Sequence, residues 1–211
     1  MKLLIQNNTF KKKNYLNIIL SNKNFSIKSE NRLKVIKINR YLELFYFGNI
    51  IFDKNKKIIN LKNLIIRLFK KRKSKKDFIE KIKNHLNGRY VMILVDNKEL
   101  SGSLFVDKYG RFDCFYHKKK NLFEIASDLS VFDTNPSSDG YDQLGLGHLL
   151  SNYSSRPAKN NTIYKNVYRI GVGEIINFKD KIFSIEKIKF KPLQTKKLKE
   201  DDLNEYSEIF L

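Results

Sequence analysis

The run Gly88-Arg-Tyr-Val-Met-Ile-Leu-Val-Asp96 constrains the fold more than any other stretch of this sequence. A short apolar run rich in β-branched and aromatic residues, closed by a glycine and an aspartate, reads as a central strand buried on both faces. The chain beyond Asp96 repeats the theme. Asn97–Glu99 turns the chain, Leu100–Val106 returns it, and Asp107-Lys-Tyr-Gly110 turns it again, with the glycine supplying a positive φ. Phe112–His117 and Leu122–Ala126 add two more strands. Turns spaced about 8–12 residues apart predict an antiparallel meander.

The same pattern extends in both directions. Tyr15–Leu20, Leu33–Ile38 and Leu42–Phe47 are predicted strands, and Ile50–Phe52 continues the last of them past a glycine bend at Gly48-Asn49. Asp53–Lys57 is a predicted turn. Asn60–Lys71 then spaces Leu61, Leu64, Ile65, Leu68 and Phe69 as one helical face. Ser74 is the expected N-cap of a second helix reaching Leu86, with Phe78, Ile79, Ile82 and Leu86 on its apolar face. The basic run Lys70–Lys76 reads as a solvated connection between the two helices. Beyond Pro136, a helix is expected over Asp139–Asn152, capped by Ser138 or Asp139. Strands are expected within Thr162–Phe178 and Lys181–Phe190, around Gly171-Val-Gly173. A charged amphipathic helix should begin at Lys196 and close on Ile209-Phe210-Leu211. Strands, two helices, strands again, then a helix and strands predict an α+β fold with sheets stacked against helices.

With 42 basic against 22 acidic residues the chain carries a formal charge of +20, which by itself points to polyanions. The excess is mostly lysine in a sequence also saturated with isoleucine and asparagine. Compositional drift explains such a charge without a binding face, so nucleic acid is disfavoured as a partner. Cys114 is the single cysteine, which excludes a disulfide framework and a thiolate zinc cluster. In its predicted strand it reads as a small buried hydrophobe. His85, His117 and His148 form no metal-binding pair, and Asp133, Asp139 and Asp142 read as helix caps, so no metal is expected. Gly145-Leu-Gly147 lacks the third glycine of a dinucleotide turn. No apolar run approaches the roughly 18 residues of a membrane span, and Met1–Phe10 has no leader-type cleavage site. A soluble protein of the reducing cytoplasm is the expectation.

From Leu86 onward the punctuation resembles the N-terminal glutamine amidotransferase domain of the asparagine synthetase family. Leu86-Asn87-Gly88, a buried strand ending at Asp96, Asp107-Lys-Tyr-Gly110 before Phe115-Tyr116, and Phe123-Glu-Ile-Ala-Ser-Asp128 fall in that family's order. Thr162-Ile-Tyr-Lys-Asn-Val167 leading to Gly173-Glu174 completes the series, with Val172 where proline is usual. The resemblance runs from Asn60 to Phe190 and is thin before Gly48. It implies a four-layer αββα sandwich of the N-terminal-nucleophile hydrolase type, with mostly antiparallel sheets. Residues 1–190 would form the glutaminase-like domain, and 191–211 would start a linker towards an ATP-pyrophosphatase-like synthetase domain. The pyrophosphate loop of that second domain is absent, so no cofactor is expected in this chain.

In active members the cysteine after the initiator methionine attacks the glutamine side-chain amide, with its own α-amine as base. Lys2 stands at that position here, and an internal Cys114 has no free α-amine to replace it. The resemblance puts the oxyanion turn at Phe47-Gly48-Asn49, which keeps the glycine and loses the asparagine before it. Gly48 and Asn49 would be the remnant of the substrate site. The Ser-Asp pair that anchors the substrate ammonium aligns with Ser74-Lys75, and the carboxylate-gripping arginine with Arg32 or Arg40. Asp107 and Asp128 match the family as structural turn formers. The expected function is therefore a non-hydrolytic glutaminase-like scaffold for an amide-forming synthetase domain, in cis or in trans, with homodimerisation left open. Two alternatives stand beside it: an active glutamine-hydrolysing enzyme whose start is misassigned, and a basic polyanion-binding module.

Overall fold

Two six-stranded sheets, antiparallel throughout, form the centre of the protein in a computed structural model that describes residues 2–7, 16–52, 60–119, 122–151, 160–180 and 182–188. The strands are β1 (Leu3–Asn7), β2 (Asn17–Ser21), β3 (Phe25–Ser29), β4 (Lys34–Lys37), β5 (Leu42–Phe52), β6 (Leu86–Asp96), β7 (Ser101–Val106), β8 (Phe115–Lys119), β9 (Leu122–Ala126), β10 (Val167–Arg169), β11 (Glu174–Lys179) and β12 (Ile182–Lys187). One sheet runs β10-β8-β9-β1-β3-β2 and the other β12-β11-β7-β6-β5-β4. The predicted central strand is β6, flanked by β5 and β7.

Alternation decides which side chains each sheet turns inward. Leu3, Ile5, Phe25, Ile27, Phe123 and Ile125 of the first sheet meet Val91, Ile93, Val95, Leu104, Ile176 and Phe178 of the second in one buried cluster. The expected α+β sandwich is what the chain forms. The expected meander, however, divides. β6 and β7 pair in one sheet, while β8 and β9 pair in the other, so the chain crosses the sandwich between Asp107 and Cys114. The turn aspartate makes that crossing stiff: the buried Asp107 carboxylate accepts the amides of Tyr109 at 3.1 Å and Phe112 at 2.9 Å.

The outer face of the second sheet is covered by α1 (Leu61–Lys70) and α2 (Lys75–His85). Both begin as their sequences predict. Asn60 accepts the Lys62 amide at 2.8 Å, and Ser74 accepts the Asp77 amide at 3.1 Å. Each removes one orphan donor from a first turn. Lys83 on the inner face of α2 and Tyr90 in β6 beneath it are both buried, and neither the Lys83 Nζ nor the Tyr90 hydroxyl has a hydrogen-bond partner among the described residues. Burial lowers the Lys83 amine to about 8, against the opposing pull of Asp107 and Glu174.

The outer face of the first sheet carries a smaller apolar cluster of Leu4, Leu16, Ala126, Val131, Phe132 and Val167. Beside it a polar row crosses the strands. Glu124, fully buried, accepts the Asp133 amide at 2.6 Å, and His117 Nδ1 lies 2.9 Å from the Thr134 hydroxyl. The third helix differs from expectation. Pro136–Asp139 forms a separate 3-10 turn, and α3 (Gln143–Leu150) starts only after Asp142, which accepts the Gly145 amide at 2.6 Å. Asp142 outranks Ser138 and Asp139 because the positive φ of Gly140 interrupts the helix between them. The predicted turn at Asp53–Lys57, the helix from Lys196 and the segment 191–211 lie outside the described residues.

Candidate functional site

At one end of the sandwich the sheets part around an open cleft of about 700 Å³. Its walls are Arg32 before β4, Lys34 at the start of β4, Phe47, Gly48 and Asn49 in β5, Arg89 in β6, Phe112 and Asp113 on the crossing, and Ser127 and Asp128 after β9.

Two glycines shape the mouth. β5 and β6 pair Gly48 with Tyr90, Asn49 with Arg89 and Ile50 with Gly88. Gly48 has φ +111° and Gly88 φ +116°, both in the region that side chains other than glycine disfavour. A Cβ on Gly48 would lie 2.2 Å from the Arg89 carbonyl oxygen, and one on Gly88 would lie 2.1 Å from that of Asn49. Each glycine thus makes room for the backbone of the cleft residue opposite. The glycine bend expected at Gly48 is real, but β5 continues through it as one strand, and Leu86-Asn87-Gly88 begins β6 instead of forming a separate turn.

The cleft carries charges of both signs, and its acids are already engaged. Asp113 pairs with Arg169 and lies 3.8 Å from Arg89, whose guanidinium sits 6.0 Å from the centre of the Phe112 ring. Asp128 caps the 3-10 turn Leu129–Val131 by accepting the Ser130 amide at 2.8 Å. That hydrogen bond is the main reason its carboxyl is held below the usual range, and the Lys2 charge adds to it. Arg32 and Lys34 make no ion pair among the described residues.

The sequence-predicted residues divide on this geometry. Lys2 leads directly into β1, whose start is fastened to the cleft: the Leu3 amide donates to the Ser127 hydroxyl at 2.9 Å. Gly48 and Asn49 line the cleft, as does Arg32, whereas Arg40 lies over the Tyr41 ring at 5.4 Å. Ser74 and Lys75 are not brought there. Ser74 is spent on its helix cap, and Lys75 lines a second cavity of about 430 Å³ with Phe69, Phe78 and Asp96. Arg89, Phe112 and Asp113 join the cleft without having been expected there. Their only signal in the sequence is the glycine just before Arg89, at the start of the apolar run.

Cys114 lies just before β8, not within it, and is packed in the central cluster. Burial pushes its thiol up, far from a reactive thiolate. Iodoacetamide should therefore leave it unmodified in the native protein and alkylate it fully in denaturant, as read by intact mass; rapid native labelling would show the burial to be wrong. Among the described residues, no group of three or more His, Cys, Asp or Glu is placed to hold a metal, and no helix is long and apolar enough to cross a membrane.

The family described as a glutamine amidotransferase domain matches residues 73–189, more than half of the 211-residue chain. Among solved structures, the glutamine phosphoribosylpyrophosphate amidotransferase from B. subtilis complexed with ADP and GMP is similar at 12% identity and a TM-score of 0.44, over 77% of this chain and 34% of that one. The allosteric regulatory enzyme of purine biosynthesis is similar at 14% identity and a TM-score of 0.42, over 73% of this chain and 30% of that one. The chain thus spans about a third of the length of these structures. No curated protein matches it.

Proposed function

We propose, from the premise that this chain belongs to the glutamine amidotransferase domain family, that it is a member which no longer hydrolyses glutamine. It would serve as a scaffold for an amide-forming synthetase domain of the asparagine synthetase kind, in cis or in trans. The observation that carries the reading is Lys2 at the entrance of β1, beside Ser127 and Asp128, where the resemblance to asparagine synthetases puts the nucleophilic cysteine. A protonated lysine amine has no lone pair for attack on an amide, and its charge favours oxyanions over a neutral carboxamide.

One further feature points the same way. The residue before Gly48 is Phe47, which is half-buried and meets the Phe112 ring edge to face at 6.4 Å, so it offers no polar group to a developing oxyanion. The resemblance to asparagine synthetases rests on Leu86–Gly88, Asp107–Gly110, Ala126–Asp128 and Thr162–Val167, in that order.

Incubation of the purified chain with glutamine is the direct test. Glutamate release is expected to stay at the buffer background, with and without Cys114→Ala. Release that survives Cys114→Ala would overturn the non-hydrolytic reading.

A further inference from the structure

We infer that the second cavity, under the connection between α1 and α2, is a binding site for a planar aromatic acid. The ring lies on an apolar floor, and the carboxylate or phosphate it bears meets Arg72 and Lys75 at the rim. The site is separate from the cleft and stands whether or not the cleft hydrolyses glutamine.

Strand register brings the floor together. Leu42 at the start of β5, Asp96 at the end of β6 and Ser101 at the start of β7 are directly opposite one another, so all three turn to the same face of their sheet. Leu94, two residues before Asp96, turns the same way and packs with Phe78 under the helices. Phe78 and Leu94 are 1% and 2% exposed, and Phe69 of α1 meets Phe78 edge to face at 5.5 Å. The cavity of about 430 Å³ opens over these groups. An apolar floor with a few polar groups at its edge is the composition of a small-molecule pocket. Gly48, at the cleft, lies further along β5 than Leu42, roughly 20 Å away at about 3.3 Å per residue.

Arg72 sets the shape of the rim. Its guanidinium carbon lies 3.3 Å from the centre of the Phe69 ring, a distance that only a flat stack permits, and its Nη1 donates to the Phe69 carbonyl oxygen at 2.7 Å. Two contacts with one residue hold an otherwise exposed side chain against the cavity. The guanidinium plane extends the aromatic surface on which a second ring can stack, and its remaining N–H groups suit a carboxylate or a phosphate. Lys75 as a residue is exposed, but desolvation lowers its amine, against the opposing pull of Asp96 and Glu186. The acids of the rim are engaged. Asp96 Oδ1 accepts the amides of Lys98 at 2.9 Å and Glu99 at 3.0 Å, and the Glu99 carboxylate lies 2.9 Å from Lys179. Neither Arg72 nor Lys75 makes an ion pair among the described residues. A simple anion would leave the floor unfilled, and a neutral ring would leave the two cations unmet. An aromatic acid satisfies both.

The test is a calorimetric titration of the full chain at constant ionic strength. The probe is 2-naphthoate, which carries ring and acid together, with acetate and 2-naphthol carrying one each. One saturable 2-naphthoate site per chain is expected. Acetate at equal concentration should not displace it, and 2-naphthol should bind about tenfold or more weakly. Arg72→Gln should weaken 2-naphthoate by about tenfold or more, the loss of one charge-assisted hydrogen-bonding group. Lys73→Gln removes the same charge from the same connection, outside the cavity lining, and should leave binding unchanged. Ser101→Trp fills the cavity from its floor and should abolish binding at an unchanged thermal midpoint. Should that variant fail to fold, Arg72→Gln at its exposed position still decides. The tighter of 2-naphthoate and 2-naphthyl phosphate identifies the acid group. Absence of a saturable site overturns the inference, as does displacement by acetate or binding undiminished in Arg72→Gln. An equal loss in Lys73→Gln would reduce the effect to net charge, and a loss in Arg32→Gln would put the ligand in the cleft; either result also overturns it.

Discussion

Gly48→Ala is expected to destabilise the protein by about 3–5 kcal/mol, the sum of a left-handed backbone penalty and an unrelieved clash. The clash cannot be relaxed cheaply. The new Cβ would meet backbone, the Arg89 carbonyl oxygen at 2.2 Å and the Tyr90 Cα at 2.8 Å, inside the β5–β6 pair. For a domain of this size the thermal midpoint should fall by roughly 6–20 °C. Gly88→Ala should act in the same direction, since its Cβ meets the Asn49 carbonyl at 2.1 Å with φ also positive. Gly147→Ala is the control: it lies in α3, with nothing within 4 Å of its Cβ and no positive φ. There alanine should be neutral or raise stability by about 0.5–1 kcal/mol through helix propensity. Melting curves by circular dichroism decide the matter. A Gly48→Ala midpoint equal to that of Gly147→Ala would mean that β5 and β6 do not approach as described.

Lys83→Met should stabilise the protein below about pH 8, with the gain fading as pH rises towards 10.5. The amine is buried under α2 and its proton is lost near pH 8, instead of at the ordinary 10.5. Below pH 8 the folded and unfolded chains both carry the charge, and the folded one bears the full desolvation cost. Between about 8 and 10.5 the unfolded chain holds the proton and the folded chain does not, so stability rises with pH across that window. The depression corresponds to roughly 3 kcal/mol, an upper bound on the gain from methionine at pH 7. Methionine has similar length and carries no charge to desolvate, so the packing of α2 on the sheet is kept. Urea unfolding of both proteins at several pH values tests this. The difference between them should shrink from about 2–3 kcal/mol at pH 7 towards zero as pH approaches 10.5. A constant difference, or a less stable variant at pH 7, would show that Lys83 is solvated in the native protein.

The helices over the second sheet are legible in the sequence because two local signals agree there. Asn60 and Ser74 cap, and the apolar face follows at once with helical spacing. β6 is legible for a different reason: only a strand covered on both faces tolerates so unbroken an apolar run. β3 is not legible. Phe25-Ser-Ile-Lys-Ser29 alternates, yet its outward residues Ser26 and Lys28 are buried, so a covered strand looks like a polar one. The division of the meander is equally hidden, since alternation fixes which face a residue takes and not which sheet its strand joins.

At the cleft the readable part is the glycine, whose steric demand is local. Arg32 and Arg40 are indistinguishable in sequence and are separated only by the path of β4 and its turn. Arg89 and Asp113 come from a buried strand and a crossing, and tertiary folding alone brings them together. Ser74 and Lys75 show the opposite error: an alignment by residue type put them at a site that their helix does not reach.

The position of β1 has a consequence for synthesis. It is an interior strand of its sheet, held by β3 on one side and β9 on the other. The bond that anchors its start to the cleft joins residues 124 positions apart. On a ribosome the first strand can pair with β3 early, but its other edge stays open until Leu122–Ala126 has left the exit tunnel. Until then the nascent chain displays an unpaired apolar edge, the species most exposed to intermolecular strand pairing. Such non-local closure makes folding slow relative to helical domains of this length. A pause in elongation before that strand would prolong the exposure, whereas one after it would not.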